Sequence, residues 1–418
     1  MLGLVLEGGG ARGAYEIGAV RALFEKGYKF DGVVGTSIGA INAAVIAQGD
    51  WKLGAEIWEK LTPEQLFPGD TKLLRVLTKG ILTPADLPEA FRDAYEVLRN
   101  GGFDISHIKS LLEEYIDEDK IRSSDMEFGL VTYSITDKKS RRLFKNDIPE
   151  GKLVDYLIAS SMLPVFKNEK IDGKLFADGG YSDVCPYNRL IDRGYDELVI
   201  VRVFGTGVTR RVKNKDTCIQ MIVPSDKLPP MLDFSPEATG SSAQMGYFDA
   251  IRVTNGYKGR KYYVHPQSED FYFARLCGFN EKYRRAIGKV LGLPKLPGMR
   301  LMFDGIIPLM ASRLSLPENF TYEEFVLSVL ESCALSKKID RFKVYTFEAL
   351  LDAVLDETYP NPDVKHTPVT LPYRTSGGKE STFRLPSAAS HSAYAYKEPS
   401  NAALGTAIDL FVTALGQN

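Results

Sequence analysis

Two strand-to-helix units follow one another at the start of this chain, and each turns through glycine. Leu2 to Leu6 is short and almost continuously apolar, the pattern of a strand buried on both faces of a parallel sheet. Glu7-Gly8-Gly9-Gly10-Ala11-Arg12-Gly13 follows it. An amphipathic helix comes next, with Ile17, Val20 and Phe24 on one face and Ala14, Gly18 and Ala22 on another. The second unit runs from a strand at Phe30 to Val34, through Gly35-Thr36-Ser37-Ile38-Gly39, into a small-residue helix at Ala40 to Ala47. Such repetition predicts an α/β fold with a mostly parallel central sheet sandwiched by helices.

Residues from Trp51 to Asp119 read as a helical covering region, in which Leu73, Leu74, Val76, Leu77, Ile81 and Leu82 are better taken as core than as a lipid-facing surface. Strands are expected at Phe128 to Tyr133 and Arg142 to Phe144, and a helix at Val154 to Ser161. Asp172-Gly173 suits a type I′ turn, so Lys170 to Phe176 reads as a hairpin that delivers Ala177-Asp178-Gly179-Gly180. Further strands are expected at Glu197 to Phe204, Cys218 to Val223 and Arg260 to His265. After Pro266 the pattern is mainly helical, with a capping box at Thr321 to Glu324, a helix at Tyr345 to Leu355 and a last one at Ala402 to Leu415. The domains expected are therefore 1–266, carrying the chemistry, and 267–418, a mainly helical C-terminal extension with an irregular Pro/Ser/Gly-rich stretch at 360–400.

A chain of 418 residues with a formal net charge of −2 offers no basic field for a nucleic acid, so no nucleic-acid partner is expected. Its four cysteines, Cys185, Cys218, Cys277 and Cys333, form no CxxC pair, which points away from a metal site or disulfide framework and towards a reducing compartment. The first residues lack the basic flank and long apolar run of a signal peptide, and no stretch has the length of a transmembrane helix. A cytoplasmic protein, with at most peripheral membrane contact, is expected. Oligomeric state is not legible.

The glycine loop has three readings. Gly8, Gly10 and Gly13 fit a dinucleotide fingerprint, but the acid that should end the second strand is missing, since that strand ends in Gly35-Thr36-Ser37. A phosphate-cradling P-loop lacks its Lys-Ser/Thr pair. An oxyanion hole remains, with N–H groups of Gly9, Gly10 and Ala11 aimed at one oxygen and Arg12 beside them as an electrostatic supplement. Gly35-Thr36-Ser37-Ile38-Gly39 has the form that exposes a nucleophilic serine on a strained strand-to-helix turn, with small flanking residues admitting a carbonyl.

That serine needs a base. Of four histidines, His107, His265, His366 and His391, only His265 offers a conventional triad partner, and Ala40 excludes an SxxK pair. Asp178 is the other candidate: Gly179-Gly180 lets the backbone turn sharply while the carboxylate stays accessible, although an Asx turn would look the same. A site without catalysis, serving only to bind lipid, is a third class.

Gly8 to Gly13, the turn around Ser37 and Asp178-Gly179-Gly180, in this order, resemble the patatin-like phospholipase family. Ala159 to Pro164, Pro186 and Leu232 to Pro236 are similar to it too, so that the resemblance covers residues 1–265. It implies a calcium-independent lipid acyl hydrolase needing no cofactor or metal, with phospholipid or another acyl lipid as substrate. Ser37 is then the nucleophile, Asp178 its base, and Gly8, Gly9, Gly10, Ala11 and Arg12 the oxyanion loop. Gly180 departs from the family pattern, where alanine is common.

Overall fold

The computed structural model describes residues 1–66, 102–167, 170–356 and 401–417, in two compact units, Met1–Asn255 and Gly256–Asn418. In the first, β1 (Leu2–Leu6) leads through the glycine loop into α1 (Gly13–Glu25), and β2 (Gly32–Thr36) leads through Ser37 into α2 (Ile38–Ala47). Both strands are buried almost throughout, because helices cover both faces of the sheet. The helices α3 (Trp51–Lys60), α4 (Pro63–Leu66), α5 (Ser106–Tyr115) and α6 (Glu118–Ser123) follow; Leu73 to Leu82 lie outside the described residues.

β3 (Glu127–Ser134) pairs in parallel with β2 and antiparallel with β4 (Lys139–Phe144). After α7 (Leu153–Ser160), the turn at Asp172 and Gly173 has φ of 50° and 76°, the double positive φ of a type I′ turn, and Ile171 and Lys174 bridge across it. The strand it feeds, β5 (Phe176–Asp178), pairs with β3. A short helix α8 (Asn188–Ile191) precedes β6 (Glu197–Val201) and β7 (Cys218–Ile222). The main path of the sheet is β4-β3-β2-β1-β6-β7, parallel except at β4. Successive strands depart from β1 in opposite directions, which opens a crevice beyond its carboxyl end.

The unit closes with α9 (Pro236–Asn255), a helix the hydrophobic pattern does not announce because Gly240, Ser241, Ser242 and Gly246 interrupt it. Ser242 and Gly246 are buried in its packing surface, while Gly240 and Ser241 are exposed. A Cβ on Gly246 would lie 1.9 Å from the Tyr15 carbonyl oxygen, and one on Gly18 of α1 would lie 1.9 Å from that of Ala243, so the two backbones touch.

The second unit is mainly helical: α10 (Glu269–Cys277), α11 (Glu281–Val290), α12 (Ile307–Arg313), α13 (Tyr322–Ser336), α14 (Phe347–Leu355) and α15 (Asn401–Leu415). The capping box at Thr321 and Glu324 forms as expected. The strand expected at Arg260 to His265 shrinks to β8 (Tyr263–Val264), which pairs with β9 (Val344–Tyr345) of this unit and not with the central sheet. Residues 360–400, with His366 and His391, lie outside the described residues. No helix among the described residues is long and apolar enough to cross a membrane.

Candidate active site

Ser37 occupies the step from β2 to α2 with φ 57° and ψ −130°, a conformation that costs an L-residue about 1–3 kcal/mol. Its surroundings hold it there. The Ser37 N–H donates to Oγ of Ser160 at 2.9 Å, and that hydroxyl donates onward to the Val131 carbonyl at 2.7 Å. Gly35 and Gly39 let the elbow close, since a Cβ on Gly35 would stand 2.1 Å from the Gly39 carbonyl oxygen. The same sharp turn leaves the N–H groups of Ile38 and Gly39 at the positive end of α2, before its hydrogen-bond ladder begins.

Sheet register carries Asp178 to the serine. Thr36 pairs with Val131 of β3, and the next residue, Thr132, pairs with Asp178 of β5. Asp178 Oδ1 accepts the Gly180 N–H at 2.7 Å, while the buried Oδ2 has no hydrogen-bond partner among the described residues. Burial raises the carboxyl above its ordinary pKa, and the nearby Ser37 hydroxyl and the Gly180 N–H work against that rise. Serine and carboxyl thus face each other without a fully formed hydrogen bond. Such contacts tighten when substrate arrives. Gly179 is required by close approach, for its Cβ would lie 2.1 Å from the Val131 carbonyl oxygen.

The glycine loop leaves two donors unspent. Gly8 N–H donates to Val184 at 2.9 Å, Ala11 N–H to Met231 at 2.7 Å and Arg12 N–H to Gly9 at 3.3 Å. Those of Gly9 and Gly10 have no partner among the described residues. Gly10 has φ +59°, and a Cβ there would strike the Met231 carbonyl oxygen at 2.2 Å. Gly8 lies against Ser37, where a Cβ would stand 3.2 Å from the serine Cβ. Ala11 therefore drops out as an oxyanion donor.

Arg12 is also otherwise engaged. Its guanidinium donates to the carbonyls of Pro229 at 2.9 Å, Val203 at 3.2 Å and Phe204 at 3.0 Å, so it fastens the loop to two neighbouring segments. Glu7, fully buried at the end of β1, holds the same segment from the other side: it pairs with Arg202 at 2.7 Å and accepts the N–H groups of Val203 and Phe204 at 2.7 and 2.8 Å. Neither Glu7 nor Ser160 stands out in the sequence as a positioning group, because their partners lie more than a hundred residues away.

A cavity of about 150 Å³ starts at Ser37 and Gly10. Its walls are apolar side chains from α2, α3 and α5, among them Ile41, Val45, Trp58, Leu112 and, at the far end, Ile116. Gln48 ties the end of α2 to the end of α5 by donating to the Tyr115 carbonyl and accepting the Asp117 N–H, at 3.1 and 3.0 Å. Asn42, one of the polar side chains beside the cavity, is fully paired: its amide accepts from Trp58 Nε1 at 2.9 Å and donates to the Gly13 carbonyl and to Glu16. Burial pushes the Glu16 carboxyl well above the usual range, with the Asn42 contact opposing.

His265 meets Tyr257 edge to face, ring centroids 5.0 Å apart, and its backbone N–H donates to the Tyr345 carbonyl, all within the second unit. His107, on the exposed first turn of α5, does not line the cavity. Among the described residues no cluster of His, Cys, Asp or Glu could hold a metal ion.

Residues 4–191 match the family model described as patatin-like phospholipase. A lysophospholipase NTE1 of Coccidioides immitis is 28% identical over 205 residues, 48% of this chain and 11% of that protein. An uncharacterized NTE family protein of Mycobacterium bovis is 27% identical over 206 residues, 49% of this chain and 49% of that protein. The match thus spans half or less of each relative's length. Among solved structures, VipD from Legionella pneumophila aligns over 84% of this chain and 83% of its own, at 14% identity and a TM-score of 0.38.

Proposed function

From a chain whose residues 4–191 match the patatin-like phospholipase family model, we propose an acyl hydrolase that cleaves carboxylic esters of phospholipids or related glycerolipids through Ser37 and Asp178. The observation that carries this reading is the apolar cavity that begins at Ser37 and at the unspent Gly10 N–H. An acyl chain seated there places its ester carbonyl at the mouth, between the nucleophile and the loop donors.

The residues divide the work as follows. Asp178, its Oδ2 without a partner, takes the Ser37 hydroxyl proton as Oγ attacks the carbonyl. Negative charge gathers on the carbonyl oxygen, where the N–H groups of Gly9 and Gly10 and the first turn of α2 meet it. Collapse expels the alcohol, which takes up the proton from Asp178, and leaves the fatty acyl group on Ser37. Water then attacks the acyl-enzyme, giving its proton to Asp178, which passes it to Ser37 Oγ as the acyl–oxygen bond breaks, and the free acid departs. Because Asp178 must be ionised to act, the rate falls as pH drops through its raised pKa, so the acid limb stands above the 3.8 of an ordinary aspartate.

The test is release of fatty acid from phosphatidylcholine vesicles in the presence of EDTA. Ser37→Ala and Asp178→Asn are each expected to abolish it with an unchanged circular dichroism spectrum. Full activity in either variant sinks the dyad, and activity that needs calcium sinks the metal-free mechanism. A fluorophosphonate probe should label Ser37 in the parent chain; no labelling favours a lipid-binding site without catalysis.

A further inference from the structure

The connection from β6 to β7, residues 202–217, packs against the glycine loop and the turn that follows Asp178. Val208 donates its N–H to the Gly180 carbonyl at 2.9 Å and accepts that of Val184 at 2.8 Å. A Cβ on Gly205 would lie 1.7 Å from the Gly8 carbonyl oxygen, so the connection rests on the glycine loop. Two of its apolar side chains nevertheless face water: Phe204 is 58% exposed and Val208 48%. Tyr181, next in the chain after Gly180, is 68% exposed. Most large apolar side chains among the described residues are buried, and three of the seven exposed ones belong to this connection and to the turn after Asp178.

Charge adds a second observation. Arg210, Arg211, Lys213 and Lys215 follow within eight residues of Val208, with Asp216 the one acid among them. Arg210 faces Asp183 at 3.6 Å and Lys213 pairs with Asp192 at 2.6 Å. Arg211 and Lys215 are exposed and have no ion-pair partner among the described residues. On a chain of net charge −2, this local excess of positive charge calls for an anionic counterpart.

We propose that Tyr181, Phe204 and Val208, with Arg211 and Lys215, form a surface that docks on a bilayer containing anionic phospholipid. Aromatic and aliphatic side chains at a rim partition into the headgroup boundary, and cations beside them are drawn to anionic lipid. Docked in this way, the chain sets the Ser37 crevice against the bilayer, and an acyl chain passes into the cavity without crossing water. The proposal deepens the lipid-hydrolase reading and rests on it.

Binding is measured with the full chain carrying Ser37→Ala, so that no vesicle is consumed. It is sedimented with vesicles of phosphatidylcholine alone or of equal parts phosphatidylcholine and phosphatidylglycerol. Stronger binding to the mixed vesicles is expected. Tyr181→Ser with Val208→Ser should weaken it about tenfold, and Arg211→Glu with Lys215→Glu should remove the preference for the mixed vesicles, about fivefold per residue. In the chain that keeps Ser37, both pairs of substitutions should leave turnover of a water-soluble short-chain ester unchanged, which shows that the fold is intact. Equal sedimentation of substituted and parent chains overturns the proposal, as does a parent that binds neither vesicle or both alike. Absent ester turnover with vesicle binding intact would instead count against the hydrolase reading alone.

Discussion

Asp183 is a carboxylate kept at a cost, and removing its charge should stabilise the protein. It lies four residues beyond Gly179, whose carbonyl accepts its N–H at 2.9 Å, and its own carbonyl accepts the Thr36 hydroxyl at 2.8 Å, so its backbone ties the catalytic turn to the end of β2. The side chain is 1% exposed as a residue and its Oδ1 has no partner among the described residues. Burial pushes its pKa up from 3.8 to about 6, although Arg210, Arg142, Arg189 and Lys213 all pull the other way. A folded pKa above the unfolded one means stability that is complete below pH 3.8 and is lost as pH rises to about 6. At about 1.4 kcal/mol per pH unit, the loss is about 3 kcal/mol at neutral pH. Asp183→Asn mimics the uncharged form and should recover most of it. Urea denaturation at pH 7.5 should show the variant more stable by about 3 kcal/mol, and at pH 3.5 nearly equal to the parent. A variant less stable at pH 7.5, or one whose advantage does not change with pH, would show that the arginines outweigh burial and refute the argument.

Three further outcomes follow from the site. Ser37→Gly should be inactive yet more stable by about 1 kcal/mol, because glycine adopts the positive φ of the elbow without strain; a loss of stability on thermal melting would deny that strain. Ser160→Ala leaves the Ser37 N–H and the Val131 carbonyl without their hydroxyl partner, so it should cost about 1–3 kcal/mol and lower kcat more than it raises KM; steady-state kinetics showing a change confined to KM would contradict a positioning role. Val45→Trp fills the cavity between α2 and α5, so hydrolysis of long-chain esters should fall at least tenfold while short-chain esters are spared, and a uniform loss across chain lengths would place the acyl group elsewhere.

Local order in this protein is written in local sequence. The apolar runs at Leu2 to Leu6 and Phe30 to Val34 each meet a glycine turn and then a helix; the first strand formed where it was expected and the second formed two residues further on, at Gly32–Thr36. Asp172-Gly173 named its own turn type, and Thr321 with Glu324 its own helix start. The position of Ser37 on a strand-to-helix step could be read for the same reason, since strain at one residue depends on its immediate neighbours. Helix α9 escaped because its packing signal is smallness, which matters only against the facing backbone of α1.

What the loop donors do was decided elsewhere in the molecule. Sequence marks Gly8 to Arg12 as a cradle of N–H groups, but Met231 occupies that of Ala11 and Val184 that of Gly8, which leaves Gly9 and Gly10. Arg12 reads as a charge beside the oxyanion loop, and three distant carbonyls fix where its guanidinium sits. Burial of Asp178 comes from a strand pairing across β3, and the cavity comes from α2, α3 and α5 closing over one another. A hydrogen-bond group carries no mark in the sequence of whether a partner more than a hundred residues away will claim it. Chain order determined which residues could do chemistry, and tertiary pairing determined which of their polar groups were left free to do it.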